Sequence, residues 1–76
     1  MEQHFPQYRS LEGFNRHYMI VGEREFVEAT MRSGEWTFQS IIAEQYPEML
    51  RIQDMLSEQF AYKKAAPEIE RLFLNR

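Results

Sequence analysis

The stretch from residue 47 to 65 carries the strongest periodic signal in this chain. Its apolar residues recur every three or four positions, which places them on one face of an α-helix: Met49, Ile52, Leu56 and Phe60. Pro47 suits the first helical position, where the missing N–H leaves no hydrogen bond unmade. Lys63 and Lys64 lie near the predicted end, where the helix macrodipole favours positive charge. The pattern therefore predicts one long helix at the centre of a small core.

Shorter apolar patterns on either side of this segment also predict helices. Their expected ranges are residues 10–21, 23–33, 37–45 and from 67 onward. Ser10 can cap the first of these helices, and Ser33-Gly34 supplies a stop signal for the second. Pro67 opens the last helix as Pro47 opens the long one.

These patterns predict an all-α fold, a small single-domain bundle of about four to five short helices. The helical domain is expected over residues 10–76, after an N-terminal arm of residues 1–9. An α+β alternative stays open, because residues 17–21 are rich in strand-forming Tyr, Ile and Val. In that alternative, residues 17–21 pair with residues 35–41 as a minor two-stranded hairpin.

Length and charge limit the classes of protein that this chain can belong to. With 76 residues and no cysteine, packing or self-association must supply the stability that disulfides give other small domains. Twelve acids against nine bases give a net charge of −3, which repels phosphate unless the bases share one face. The longest strictly apolar run, residues 18–21, is too short to cross a bilayer. No signal-peptide pattern opens the chain, so a cytoplasmic location is expected.

Catalytic and metal-binding patterns are missing from the sequence. The absence of cysteine excludes thiolate chemistry and cysteine-ligated zinc. His4 and His17 stand in no metal-ligand spacing, and no serine lies in a glycine-rich nucleophile elbow. The carboxylates of Glu23, Glu25 and Glu28 are expected on a solvated helix start, where the macrodipole favours them. We therefore expect a protein that is not an enzyme and has no cofactor and no metal.

The surplus of large apolar residues favours an interaction protein. Six Phe, four Tyr, one Trp and five Met exceed what a domain of this size readily buries alone, so another chain is expected to complete the burial. Trp36 is the first interface candidate because tryptophan dominates binding hot spots, although it could equally staple a helix to the core. The candidate partner-binding residues are Trp36, Phe38, Met55 and Tyr62. The expected function is a non-catalytic regulatory or inhibitory accessory module that docks on a protein partner, a second copy included.

A helix-turn-helix DNA-binding protein of phage or bacterial type is the alternative function. Residues 37–45 would form its first helix and residues 48–60 its recognition helix. This arrangement resembles the helix-turn-helix of phage small terminase and transposase-type proteins. It departs from their pattern at Pro47, where a turn glycine is usual, and at Glu48, where an apolar residue is expected. Under this alternative, the residues expected to contact nucleic acid are Arg51, Gln53, Lys63 and Lys64.

Overall fold

The computed structural model describes residues 4–75, which form five β-strands and two α-helices. In chain order these are β1 (Gln7–Leu11), β2 (Arg16–Gly22), β3 (Glu25–Arg32), β4 (Glu35–Ile42), α1 (Tyr46–Leu56), β5 (Tyr62–Lys64) and α2 (Pro67–Leu74). All neighbouring strands are antiparallel, and their order across the sheet is β4-β3-β2-β1-β5. The first four strands form a meander. The chain then passes through α1 to the opposite edge of the sheet, where β5 pairs with β1.

The sheet is buried on both faces, and each face has its own helix. On one face Tyr18, Ile20 and Phe26 pack with two residues of α1 that are fully buried, Ile52 and Met55. On the other face Met19, Val27 and Ala29 pack around Phe73 of α2. Because successive strand residues point to opposite faces, the adjacent pair Phe26 and Val27 is buried in two different clusters.

The prediction of an all-α bundle is wrong, and two-sided burial explains why. A strand with one solvated face alternates apolar and polar residues, whereas a strand covered on both faces shows a continuous apolar run. Strand β3, residues 25–32, shows no alternation of apolar and polar residues. The spacing of its larger side chains also fits one face of a helix, which is why it was predicted as one: Phe26, Val27, Thr30 and Met31. The predicted helices over 10–21, 23–33 and 37–45 are all replaced by strands and turns.

The hairpin alternative placed strands correctly but paired them wrongly. Residues 17–21 lie in β2 and residues 35–41 in β4, yet β3 stands between these two strands. The link from β3 to β4 is Ser33-Gly34, which the sequence suggested as a helix stop. Both residues have positive φ, 51° and 79°, as a two-residue type I′ hairpin turn requires. The same two residues thus end a strand and not a helix.

The two helices were predicted with different success. α2 begins at Pro67 as expected. α1 includes Pro47 in its first turn but ends at Leu56, so the predicted continuation to residue 65 is wrong. Ser57 closes the helix by donating its hydroxyl to the carbonyl oxygen of Gln53 at 2.8 Å. Among residues 4–75, no helix is both long and apolar enough to cross a membrane.

Candidate functional site

Strand β4 has a free edge. It lies at the end of the sheet, pairs with β3 on one side, and has no neighbouring strand on the other side among residues 4–75. We call this free side of residues 35–42 the β4 edge. Thr37, Gln39 and Ser40 are exposed along it, and Ile42 keeps 63% of its surface in solvent. An extended polypeptide could therefore approach the backbone of β4 along most of its length.

The hairpin turn determines which backbone groups point outward from this edge. The pair that flanks a two-residue turn, here Arg32 and Glu35, exchanges both of its backbone hydrogen bonds. The pattern then alternates along an antiparallel ladder. The inward residues of β4 are therefore 35, 37, 39 and 41. The N–H and C=O groups that face away from β3 belong to Trp36, Phe38, Ser40 and Ile42. Among them, the carbonyl oxygen of Ile42 already accepts a hydrogen bond from the N–H of Glu44 at 3.0 Å.

The β4 edge lacks the features with which proteins usually protect a sheet edge. Such features are short strands, lysines, prolines and bulges. β4 is eight residues long, carries one charged side chain, Glu35 at its start, and pairs with β3 without a register shift. The opposite edge differs, because β5 has three residues and two of them are the exposed Lys63 and Lys64. The molecule therefore protects one edge of its sheet and leaves the other open.

Two of the predicted partner-binding residues lie side by side on this strand. Trp36 and Phe38 are half-buried on the face that α2 covers. The Trp36 ring packs against the imidazole of His17, with centroids 5.4 Å apart, and the Phe38 ring meets Phe73 edge-on at 5.7 Å. Each aromatic side chain is thus anchored on its inner side, while the backbone of both residues faces outward.

The other two predicted partner-binding residues lie elsewhere. Met55 belongs to α1 and is completely buried in the core cluster between this helix and the sheet. Tyr62 is half-buried on β5, across the sheet from β4, where its ring meets Tyr18 at 5.7 Å. The structure therefore brings together Trp36 and Phe38 but not Met55 and Tyr62.

The residues predicted for DNA contact are also separated. The helix-turn-helix on which they depended is absent, because residues 37–42 belong to a strand. Arg51 is half-buried: its guanidinium lies 3.6 Å from the Glu28 carboxylate and 5.1 Å from the centroid of the Phe26 ring. Gln53 is exposed on α1, and Lys63 and Lys64 are exposed on β5.

Tyr18, Phe26, Glu28 and Arg51 form one cluster between α1 and the sheet, which we call the Arg51 cluster. The hydroxyl of Tyr18 accepts a hydrogen bond from Arg51 at 3.3 Å, beside the carboxylate of Glu28. Burial raises the pKa of Tyr18 to about 12, and the negative charge of Glu28 adds to the rise. The cluster links α1 to the sheet, so Arg51 holds the two elements together from within the fold.

A serine and a histidine meet beside an open cleft on the other side of the molecule. Ser10 and His17 face each other across β1 and β2, and Ser10 Oγ lies 2.7 Å from His17 Nδ1. The cleft, about 530 Å³, is also lined by Lys63 and Phe14. Burial lowers the pKa of His17, which favours the neutral ring. No acidic side chain among residues 4–75 hydrogen-bonds that ring, and no group of three or more potential metal ligands occurs within the same residues.

Ser40 and Ile42 complete the β4 edge, and the sequence reasoning did not select them. One signal could have identified them. Residues 36–43 form the longest run in the sequence without Asp, Glu, Lys or Arg, and this run is rich in aromatic and β-branched residues. An uncharged run of this composition without proline is typical of segments that pair through their backbones.

The fold is thus a five-stranded antiparallel sheet with one helix on each face, and its most distinctive surface is the β4 edge. Comparison of the chain with protein-family models, curated proteins and solved structures gives no match. Function is therefore inferred from the geometry of the chain itself.

Proposed function

We propose that this chain is a non-catalytic protein-interaction module that docks on a protein partner through the β4 edge. The observation that carries this proposal is the length of the free side of β4, a strand of eight residues whose single charge lies at one end. In β-strand addition, an extended segment of a partner joins such an edge, and main-chain hydrogen bonds supply much of the affinity. A regulatory or inhibitory accessory role fits a module that acts by docking.

The contrast between the two sheet edges supports the proposal. An exposed edge is an aggregation hazard, and β5 limits that hazard with its short length and two lysines. Leaving β4 without such protection is best explained by a strand that covers it in the functional state.

The side chains along β4 also suit a docking surface. Trp36 and Phe38 are rigid aromatic residues, anchored by His17 and Phe73, and aromatic anchors of this kind concentrate binding energy at interfaces. Ile42 offers an apolar side chain that the chain itself leaves mostly in solvent. A partner strand would therefore gain apolar contacts as well as backbone pairing.

The Ser10–His17 pair supports the non-catalytic part of the proposal. The two residues occupy opposing positions in a regular antiparallel ladder, and Ser10 Oγ and His17 Nδ1 are hydrogen-bond partners of each other. Ser10 borders the cleft but is only 8% exposed. A cross-strand pair that stabilises β1 against β2 accounts for this geometry.

The test is partner capture by the immobilised chain and by two variants at Ser40. Ser40→Pro removes an N–H that points away from β3, so the ladder inside the molecule stays intact while the edge can no longer pair regularly. Ser40→Ala keeps the N–H and serves as the matched control. Both variants should retain the circular dichroism spectrum of the wild type.

We expect the wild type and Ser40→Ala to capture the same protein from an extract of the source cells, and Ser40→Pro to lose it. The amides of Trp36, Phe38, Ser40 and Ile42 should also become protected from hydrogen exchange when that protein is bound. Equal capture by all three chains, with no added protection along β4, would refute the β4 edge as the docking site.

A further inference from the structure

We infer that the strand that covers the β4 edge is β4 of a second copy, paired antiparallel about a two-fold axis at Gln39. This inference rests on the proposed function and names the partner. A C2 dimer of this kind is isologous, since the same patch serves both copies. The two sheets would then join into one continuous sheet, and no free β4 edge would remain.

The outward backbone groups determine which registers are possible. Residues with outward N–H and C=O groups must face one another, and these are Trp36, Phe38, Ser40 and Ile42. An antiparallel pairing centred on Gln39 does this throughout, because it sets Trp36 opposite Ile42 of the second copy and Phe38 opposite Ser40. A shift by one residue on one strand would set outward groups against inward ones, and the ladder would not form.

Registers centred on Phe38 or on Ser40 also match outward residues, but each leaves part of the strand unused. With the centre at Ser40, Trp36 would lie opposite Glu44, beyond the end of β4. With the centre at Phe38, Ile42 would lie opposite Gly34 in the turn, where no side chain can cover it. Centring on Gln39 places Ile42 beside Trp36 of the second copy, on the face where Trp36 is already held by His17. Ile42 is the most exposed of the large apolar residues of β4, and the register centred on Gln39 covers its side chain.

The charges around β4 are compatible with this pairing. Residues 36–43 carry no charge, so the paired region sets no like charges against each other. On β3, Glu28 lies opposite Gln39, and its carboxylate is 3.6 Å from the guanidinium of Arg51. The other charged residues next to β4 lie at the two ends of the pairing, where both signs are present. These residues are Glu25, Glu35 and Glu44 together with Arg24 and Arg32, the last paired with Glu35 across β3 and β4.

The absence of native cysteine allows a precise test of the register. In Gln39→Cys the two introduced thiols would lie at a pair that is not hydrogen-bonded, with Cα atoms about 4.5 Å apart. That separation is within the range that a disulfide bridges. The matched control is Thr37→Cys, whose two copies would be separated by about 13 Å along the strands, which is too far for a disulfide.

We expect light scattering to give the wild type twice the mass of a single chain, and mild oxidation to link Gln39→Cys into a covalent dimer but not Thr37→Cys. Charge exchange provides a second readout. Gln39→Lys and Gln39→Glu should each be largely monomeric, because like charges would meet at the two-fold axis, and an equimolar mixture should restore the dimer mass.

A monomeric wild type would overturn the inference. A wild-type dimer in which Gln39→Cys cross-links no better than Thr37→Cys, or in which neither Gln39 charge variant shifts the mass, would overturn it equally. These results are distinguishable from failure of the proposed function. A monomer that still captures another protein, and loses it in Ser40→Pro, retains the docking edge and refutes only the second copy as its occupant.

Discussion

Arg9 shows how one buried residue can hold an element in place. Its side chain is 5% exposed and lies beneath the end of α1, where its guanidinium donates to the carbonyl oxygen of Met55 at 2.8 Å and more weakly to that of Leu56. The last carbonyls of a helix have no intrahelical donors and carry partial negative charge. A guanidinium is well suited to them because it presents several N–H donors in a fixed plane. Residues 1–9 were predicted as an arm, so nothing in the sequence pattern indicated this contact.

Arg9 is far from α1 in the sequence, but its replacement should destabilise the fold because the contact with the end of this helix is lost. Arg9→Met fills similar volume but removes the guanidinium donors from the carbonyl oxygens of Met55 and Leu56, of which the first keeps only the N–H of Glu58 at 3.2 Å. We expect a loss of about 1–3 kcal/mol in the free energy of unfolding. Urea denaturation measures this loss, with Arg16→Met on the exposed start of β2 as the control. Equal midpoints for the two variants would show that Arg9 is not needed to cap α1.

The buried hydroxyl of Tyr18 should make stability depend on pH in the alkaline range. The pKa of its phenol is about 12 in the folded chain, against an ordinary value of 10.0. Between these values the unfolded chain releases the proton that the folded chain retains, so unfolding is favoured as pH rises. The stabilisation is complete below pH 10, is lost between about pH 10 and 12, and amounts to about 2–3 kcal/mol.

Tyr18→Phe tests this prediction because it removes the titrating group and keeps the ring. The free energies of unfolding should be compared near neutral pH and at about pH 11, with Tyr46→Phe as the control at an exposed ring. We expect the wild type and Tyr46→Phe to lose stability more steeply than Tyr18→Phe. Parallel loss in all three chains would place the alkaline transition in other groups.

At the scale of the elements, helix α1 shows what periodicity can and cannot predict. Pro47 and the recurring apolar residues correctly indicated a helix, but the predicted stripe ran through Leu56 to Phe60. In the structure the helix ends at Leu56, and its fully buried residues are Ile52, which the predicted stripe included, and Met55, which it did not. Phe60 is 85% exposed with a φ of 59°. A helical repeat identifies several adjacent faces almost equally well, and the packing partner selects one of them.

Alanine substitutions along α1 should therefore follow observed burial and not the predicted stripe. Met55→Ala removes a side chain from the centre of the first cluster and should cost about 2–5 kcal/mol. Leu56→Ala, at a half-buried position, should cost less, and Phe60→Ala should leave the unfolding midpoint nearly unchanged. Denaturant unfolding of the three variants gives the order directly. A larger loss in Phe60→Ala than in Met55→Ala would contradict the observed end of the helix.

The strands illustrate a different limit of sequence reasoning. Their composition was informative, since residues 17–21 and 35–41 were both recognised as possible strands. Their pairing was not, because the strand between them, β3, has both faces buried and lost the alternation that marks a half-buried strand. The candidate site followed the same division. Trp36 and Phe38 were selected because of their residue types. The free backbone edge on which they lie depends on the order of the strands, which the sequence pattern does not give.

At the scale of the whole molecule, a thin sheet is stabilised by a helix on each side. A chain of 76 residues has a stability of only about 4–11 kcal/mol at typical values per residue. Each of its two clusters is small, and the second depends on one aromatic side chain, Phe73, that meets Tyr8 and Phe38 at centroid distances of 5.9 and 5.7 Å. Losing either helix would expose one face of the sheet to water.

Phe73→Ala should therefore remove a large share of the total stability. Truncation of a buried phenylalanine costs about 3–5 kcal/mol, and here it would uncover Met19, Val27 and Ala29 together. The neighbouring Leu74 is 74% exposed, so Leu74→Ala is a matched control that shortens a side chain on the same helix without touching the cluster. Thermal unfolding should show a much lower midpoint for Phe73→Ala than for Leu74→Ala. If both variants have the same unfolding midpoint as the wild type, α2 does not stabilise the second face, and the fold depends on α1 and the sheet alone.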